Sequence, residues 1–451
     1  MPSHVVDMRT IGNSFSTPEM REVWAETNRL QKQLDVEAAL ARAEAALGII
    51  PQAAADAITA AARADELDLD AVAEAGARTM HSLNATIGAL QTAAGPAGEW
   101  VHYGVTTQDI VDTGTVLQVR EGLDIIERDT RAVAAALKAL ATTHRDTAMV
   151  GRTHAVHALP TTFGFKVAVW LDELIRHVER LTDVRRRVLT GNINGAVGTY
   201  SAFGERGPEV ERATLDLLEL AAPNISWQSA RDRFSEYAAV LTLVSGTLGK
   251  VAGELTNLMR TEIGEVEEPF VAGKIGSTTM PHKRNPALLE GVAALTAPMK
   301  HAMGLTFDSM NTVHERDAIS WRAEWIALPE LHLYLSAQLA TMARILPGLV
   351  VNEDAMARNL DHQGGLLLSE RVMFELAATL GKQTAHQVVY DASMTAVDSG
   401  RQLLDVLLEE PRLEGRFSAE EISGWLDPRQ YLGAAGTTVD RVVAAAAQAG
   451  L

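Results

Sequence analysis

Apolar residues recur at three- and four-residue steps through most of this 451-residue chain. In "FKVAVWLDELIRHVERLTDVRRRVL", Leu171, Leu174, Ile175, Val178, Leu181 and Val188 follow that spacing with charges between them, which predicts an amphipathic helix. A second helical stretch follows Arg233, with Asp232 placed to cap it. A third begins at Ala287, and a fourth runs from Trp321 to Leu346. Stretches approaching thirty residues exceed the ordinary helix of about 11–12 residues. Their alanine, glycine and serine content permits close approach, so the pattern predicts a bundle of long helices. Strand signals are scarce. Glycine-bearing interruptions fall at 95–104, 191–207, 264–276 and 364–365. The expected fold is all-α in three helical domains: residues 1–104, a central long-helix bundle at 105–349, and a smaller domain at 350–451. Bundles of this length associate through their faces, so an oligomer is expected.

Composition narrows the function. With 47% hydrophobic and 22% charged residues the chain can bury a large core. A formal charge of −18 opposes non-specific binding to nucleic acid or to an acidic membrane surface. An anionic substrate therefore needs a local cationic pocket. The chain has no cysteine, which removes disulfides, thiolate catalysis and cysteine metal sites. The N-terminus lacks a basic-then-apolar leader pattern, and no uncharged apolar run is long enough to span a bilayer, so a soluble, cytoplasmic protein is expected.

Four segments carry candidate chemistry. In "GKIGSTTMPHKRNPALLEG", Gly273 and Gly276 precede a hydroxyl run and the basic cluster His282-Lys283-Arg284. Asn285 is placed as N-cap with Pro286 at the first helical position, so the helix start and Lys283 offer a seat for a carboxylate or phosphate. An ordinary capped helix after a basic turn explains the same residues. In "VGRTHAVHALPTTFG", His154 and His157 lie three apart, but nearby Pro160 and the lack of a third ligand argue against a metal. A single histidine acting as general acid fits better, with a core histidine as the bland alternative. In "WVHYGVTTQDIVDTGT", His102, Thr106, Thr107, Gln108, Asp109 and Asp112 surround Gly104. Hydroxyls and an amide at a helix start can cradle a carboxylate, or simply cap the helix. "HERDAISWRAEW" supplies Arg316, suited to a bidentate carboxylate grip or to a surface ion pair.

Together and in this order, these segments resemble the fumarase/aspartase superfamily. "GSTTMPHKRNP" resembles its signature loop, and "HYGVTTQDIVDT" and "GRTHAVHALPTTFG" resemble its two other active-site regions. "NGAVGTY", "HERD" and the stretch from Pro18 to Pro51 resemble the adenylosuccinate lyase branch. The resemblance implies a helical protomer with a central five-helix bundle, assembled as a homotetramer, with each active site built from three chains. It implies reversible elimination of fumarate from a substituted succinate, usually by breaking a C–N bond. Ser277 falls on the general base, His154 on the general acid and Glu290 on the glutamate that orients it. Lys283 and Asn285 match the carboxylate-gripping pair, while Thr278 replaces a second serine. Thr106, Thr107 and Gln108 match a carboxylate-binding cluster, and His81, His102, Asp109, Thr153 and Arg316 complete the expected substrate contacts. No metal or cofactor is expected. The partners are a small dicarboxylate and other copies of the chain.

The departures concern the nucleotide phosphate. Ser14-Phe15 stand where adenylosuccinate lyases carry Arg-Tyr, Met80 where Thr-Arg-His carries arginine, and Trp325 where a further arginine falls. Losing two or more charge-assisted contacts, about 1.5–3 kcal/mol each, should ruin phosphate binding. "SWRAEW" and "SWQSARDR" are closer to the 3-carboxymuconate cycloisomerases, but those replace the first histidine of "RTH" by tryptophan, and here His154 remains. The expected activity is elimination from a small, phosphate-free succinate such as an N-substituted aspartate or nitrosuccinate. Lactonisation, adenylosuccinate cleavage and a catalytically silent structural relative are the alternatives.

Overall fold

The computed structural model describes residues 3–269, 279–280 and 282–451. It is mostly helical, at 69% helix and 4% strand. The chain divides into two compact units, each discontinuous in sequence. The first comprises residues 1–130, 177–249 and 291–340, and the second 131–176, 250–290 and 341–451. Four of the five boundaries fall inside helices of 26 residues or more.

The elements that position the site are few. Helix α1 is Glu26–Ala46, α2 is Leu69–Thr79, α3 is Ser82–Ala93 and α4 is Thr107–Thr143. A hairpin follows, β1 (Ala148–Thr153) and β2 (Val156–Thr162), then α5 (Phe163–Val188) and α6 (Asp232–Leu258). Strand β3 (Val266–Glu267) pairs with β4 (Val350–Val351), and between them lie α7 (Ala287–Ala294), α8 (Thr296–Asp308) and α9 (Ala318–Ile345). Helices α10 (Glu353–Asp361), α11 (Ser369–Leu380) and α12 (Lys382–Ser399) follow.

In the first unit the apolar stripes meet as the periodicity predicts. Leu34, Leu123, Leu181, Tyr237, Leu241, Val244, Leu331 and Leu335 are fully buried. Gly122 of α4 permits a close approach to α9, since a Cβ there would sit 2.4 Å from the His332 ring. That ring bonds the Tyr237 hydroxyl at 2.7 Å and the Leu328 carbonyl at 2.7 Å. Helix α6 is long and apolar enough by composition to cross a membrane, yet most of that window is buried among protein, as in a core helix.

In the second unit, α11 and α12 enclose a core of Val372, Leu376, Val388, Ala392, Leu403 and Leu407. Val150 of β1 packs with Leu360 and Leu367. The hairpin turns through His154 and Ala155, both at positive φ (52° and 65°), as a two-residue turn of right-handed twist requires. Neither is glycine, so the turn holds backbone strain at His154.

Candidate functional site

In the first unit the expected carboxylate-binding residues converge. His81 caps α3, its Nδ1 accepting from the Asn84 N–H at 3.2 Å. The ring proton therefore sits on Nε2, which lies 3.4 Å from the Thr107 hydroxyl. Arg316 Nη1 donates to the Thr106 hydroxyl at 2.9 Å. The structure thus unites His81, Thr106, Thr107 and Arg316, drawn from three separate stretches of sequence. His102 stands nearby at positive φ (62°), held twice by the buried Glu37. Its Nδ1 lies 2.7 Å from one Glu37 oxygen, and its backbone N–H donates to the other at 3.1 Å. Burial works against the imidazolium, but the bond and charge of Glu37, with Asp109 beyond, hold the His102 pKa above its ordinary value.

Gln108 and Asp109 differ from expectation. Both are buried, at 1% and 0% exposure, and both turn to donors or acceptors of their own chain. Asp109 accepts from the N–H groups of Thr106 (3.0 Å), Asn194 (3.2 Å) and Gly195 (2.8 Å), and from the amides of Asn192 (3.2 Å) and Gln228 (3.1 Å). Burial raises its carboxyl to about 7 while these bonds pull it down. Gln108 donates to Asp112 and to the Gln228 carbonyl. Little of either side chain is exposed: Asp109 holds Thr106 and the 192–195 loop in place, and Gln108 braces Asp112 and the Gln228 backbone.

Beneath them lies a buried ion triad. Arg231 bonds Asp112 at 2.6 and 3.1 Å and Glu324 at 2.8 Å, and all three are 2% exposed or less. Trp321 donates its indole N–H to Asp112 at 2.8 Å and packs against Trp325. The Arg29 guanidinium lies 4.8 Å over the Trp325 ring, so the tryptophan that replaces an expected arginine carries a cation of its own. Elsewhere in this unit, a cleft of about 820 Å³ is lined by Glu19, Glu22, Asp65, Glu121 and Asp124 against one cation, Arg128, which is already paired with Glu19, a setting unfavourable to a dicarboxylate.

The second unit holds the remaining expected residues. His154 occupies the exposed hairpin turn, with Thr153 beside it at the end of β1. The hairpin rules out the helical spacing under which His154 and His157 would share a metal. Lys283 is exposed, its N–H donating to the Met280 carbonyl at 3.0 Å, and Asn285 is half-buried. Ser277 lies outside the described residues. Helix α7 begins one residue later than expected: the Glu290 N–H bonds the Pro286 carbonyl at 2.9 Å, which makes Pro286, not Asn285, the N-cap. The first turn is also occupied. Glu268 Oε1 accepts from the N–H groups of Leu288 (3.0 Å) and Leu289 (2.9 Å), so a substrate carboxylate does not find those donors free. The side chains of His154 and Glu290 have no hydrogen-bond or ion-pair partner among the described residues.

Glu37, Arg231, Glu268 and Glu324 were missed from the sequence. The three glutamates sit in helical or acidic runs that read as solvated, Arg231 sits in the mixed-charge stretch before α6, and nothing local marks their partners. Asn194 and Gly195 were visible only as part of "NGAVGTY".

Comparison with known proteins gives the same frame. Residues 13–299 match the lyase family, and residues 365–442 match the adenylosuccinate lyase C-terminus. The N-acetyl-S-(2-succino)cysteine lyase of Dickeya dadantii is 60% identical over 100% of this chain and 99% of its own. The enzyme of that name from Enterococcus italicus is 56% identical over 99% of this chain and 98% of its own. Among solved structures, the 3-carboxy-cis,cis-muconate lactonizing enzyme from Pseudomonas putida superposes with a TM-score of 0.92 at 40% identity, covering 97% of this chain and 99% of that one. Ordered motifs, helical fold and near-complete alignment together make this chain a lyase of the fumarase/aspartase superfamily.

Proposed function

We propose that the chain is a carbon–sulfur lyase that releases fumarate from N-acetyl-S-(2-succino)cysteine or a close thioether of succinate. The observation that carries this is the full-length identity to two enzymes named for that substrate, well above the identity to the lactonizing enzyme. It replaces the carbon–nitrogen cleavage expected from the sequence with carbon–sulfur cleavage in the same reaction frame.

Ser277 takes the proton from the succinyl carbon next to a carboxylate. The resulting electron pair forms the double bond of fumarate, the C–S bond breaks, and its pair leaves on sulfur. The intermediate carries extra charge on that carboxylate, which a dense set of donors must hold. Lys283 and Asn285 supply part of that set, and the Thr106–Thr107 hydroxyls, ordered by Arg316 and His81, supply the rest. His154, oriented by Glu290, returns a proton to the leaving group. A thiol ionises at about 8.5, so sulfur can leave as a thiolate, whereas an amine must be protonated before it leaves, and sulfur therefore departs with less help from this acid. The leaving group carries no phosphate, in keeping with Met80 and Trp325 at positions where adenylosuccinate lyases have arginine. The protein works in the cytoplasm as a homotetramer with sites shared between chains, a reading supported by the lack of partners for His154 and Glu290 among the described residues.

Purified protein given N-acetyl-S-(2-succino)cysteine should yield fumarate, read by ultraviolet absorbance, and an equal amount of free thiol, read with a thiol reagent. Adenylosuccinate should be turned over negligibly. Fumarate from an N-substituted aspartate, with none from the thioether, would return the assignment to carbon–nitrogen cleavage.

A further inference from the structure

The turn that leads into Thr106 and Thr107 is held from two sides. His102, four residues before Thr106, stands at φ 62°, a left-handed conformation uncommon outside glycine. Glu37 of α1 grips it at two points. One oxygen meets Nδ1 at 2.7 Å, and the other accepts the His102 backbone N–H at 3.1 Å. Two residues on, Gly104 at φ 71° lets the Phe203 ring press on the turn, since a Cβ there would sit 2.4 Å from that ring. The Glu37 side chain is 3% exposed and that of His102 20%, so a ligand meets the ring rather than the carboxylate.

A carboxylate only accepts, so Nδ1 carries a proton and Nε2 is the nitrogen left for a ligand. Among the described residues, the charged groups that act on this ring are Glu37 and, from the first turn of α4, Asp109. Burial works against the imidazolium, and the bond and charge of Glu37, with the charge of Asp109, outweigh it. Glu44, seven residues along α1 from Glu37, is pushed up to about 9 by burial and by the charge of Glu37. It therefore adds no third charge at neutral pH.

We infer that Glu37 is a positioning residue for the elimination, acting through His102: it fixes the ring as an imidazolium whose Nε2–H joins the Thr106 and Thr107 hydroxyls in holding a substrate carboxylate. This rests on the fumarate-releasing reading above, and Glu37 itself touches no substrate. Two properties of the side chain are separable. Its length places the ring and the backbone, and its charge keeps the proton. Glutamine keeps the length and loses the charge, whereas aspartate keeps the charge and falls short by one methylene.

The experiment measures kcat/KM for fumarate release from N-acetyl-S-(2-succino)cysteine across the range from acid to alkaline pH, in wild type, Glu37→Gln and Glu37→Asp. It also follows the His102 ring by NMR of 13C-labelled histidine, with and without fumarate, which needs no turnover. Replacing a charged acceptor by a neutral one makes the imidazolium about tenfold easier to deprotonate. The ratio of Glu37→Gln to wild type should therefore fall about tenfold from the acid to the alkaline end, and His102 should titrate at lower pH in the variant. Taking the ratio cancels titrations common to both proteins, that of Asp109 at about 7 among them. Glu37→Asp should lose activity evenly across the range, because its charge remains. A Glu37→Gln ratio that does not change with pH would leave only a structural role and overturn the inference, as would a His102 titration equal in both proteins. If Glu37→Gln loses helix content, wild type decides alone: His102 should titrate above free histidine, and the alkaline fall in kcat/KM should follow it. A ring that titrates below free histidine overturns the inference. If wild type releases no fumarate from the thioether, the substrate reading fails by itself. The His102 titration then decides the inference: added fumarate should move it upward, and a ring that ignores fumarate overturns it.

Discussion

Two buried acids of the first unit show how far partners decide a carboxyl's state. Asp109 receives five donors and is raised only to about 7. Glu44 of α1 is also fully buried, but neither of its oxygens has a partner among the described residues, and burial with the like charge of Glu37 raises it to about 9. Glu44 therefore stays protonated in the folded protein at neutral pH. Above the usual carboxyl range of about 4.5 the unfolded chain releases this proton while the folded one keeps it, so stability falls with rising pH until about 9. At pH 7 that cost is about 3 kcal/mol. Glu44→Gln, neutral at every pH, should melt higher than wild type, and the gain should be larger at pH 8 than at pH 5. Melting curves whose separation does not change with pH would show that Glu44 does not carry this proton. Among the site residues, Thr106, Thr107, His81 and Arg316 were legible because polar groups at helix starts stand out against an apolar pattern. Glu37 and Glu268 were not, because a glutamate in a helix or an acidic run looks solvated until its partner, 65 or 20 residues away, is known.

At the scale of elements, the long helices followed from their periodicity, since an apolar stripe sustained for twenty or more residues has no other packing solution. The hairpin at 148–162 did not. Its strands are six and seven residues long, the register shifts between Gly151 and Arg152, and Pro160 sits in the second strand. A two-residue turn at His154-Ala155 also lacks the usual glycine or asparagine signal. The interleaved units were equally hidden, because periodicity shows which face of a helix is buried but not which distant helix covers it. What ties α4, α9 and the segment before α6 together is the Arg231 triad, where one buried guanidinium serves two carboxylates. Removing the cation leaves Asp112 and Glu324 buried side by side, so Arg231→Met should cost about 3–5 kcal/mol. Urea unfolding measures this. A loss below about 1 kcal/mol would mean the triad adds little over an apolar cluster.

For the whole molecule the proposed reading has each site completed by a second chain. Ile319 and Ile326, seven residues apart on one face of α9 with the exposed Arg322 between them, are 84% and 56% exposed. His154 and Glu290 find no partner among the described residues of their own chain. The proposed homotetramer, in which the base and the acid of one site come from different chains, makes a direct prediction. His154→Ala and Ser277→Ala should each lose several orders of magnitude in turnover while keeping fold and size. If the two lesions fall in different chains of a site, mixing and reannealing the dead variants in equal amounts gives some sites both intact residues. Random assembly makes that fraction one half times one half, so about a quarter of wild-type activity should return. A site built within one chain allows no such rescue, because every site then carries one lesion or the other. Reannealed tetramers shown by mass to contain both variants, yet still inactive, would exclude sharing between these two residues.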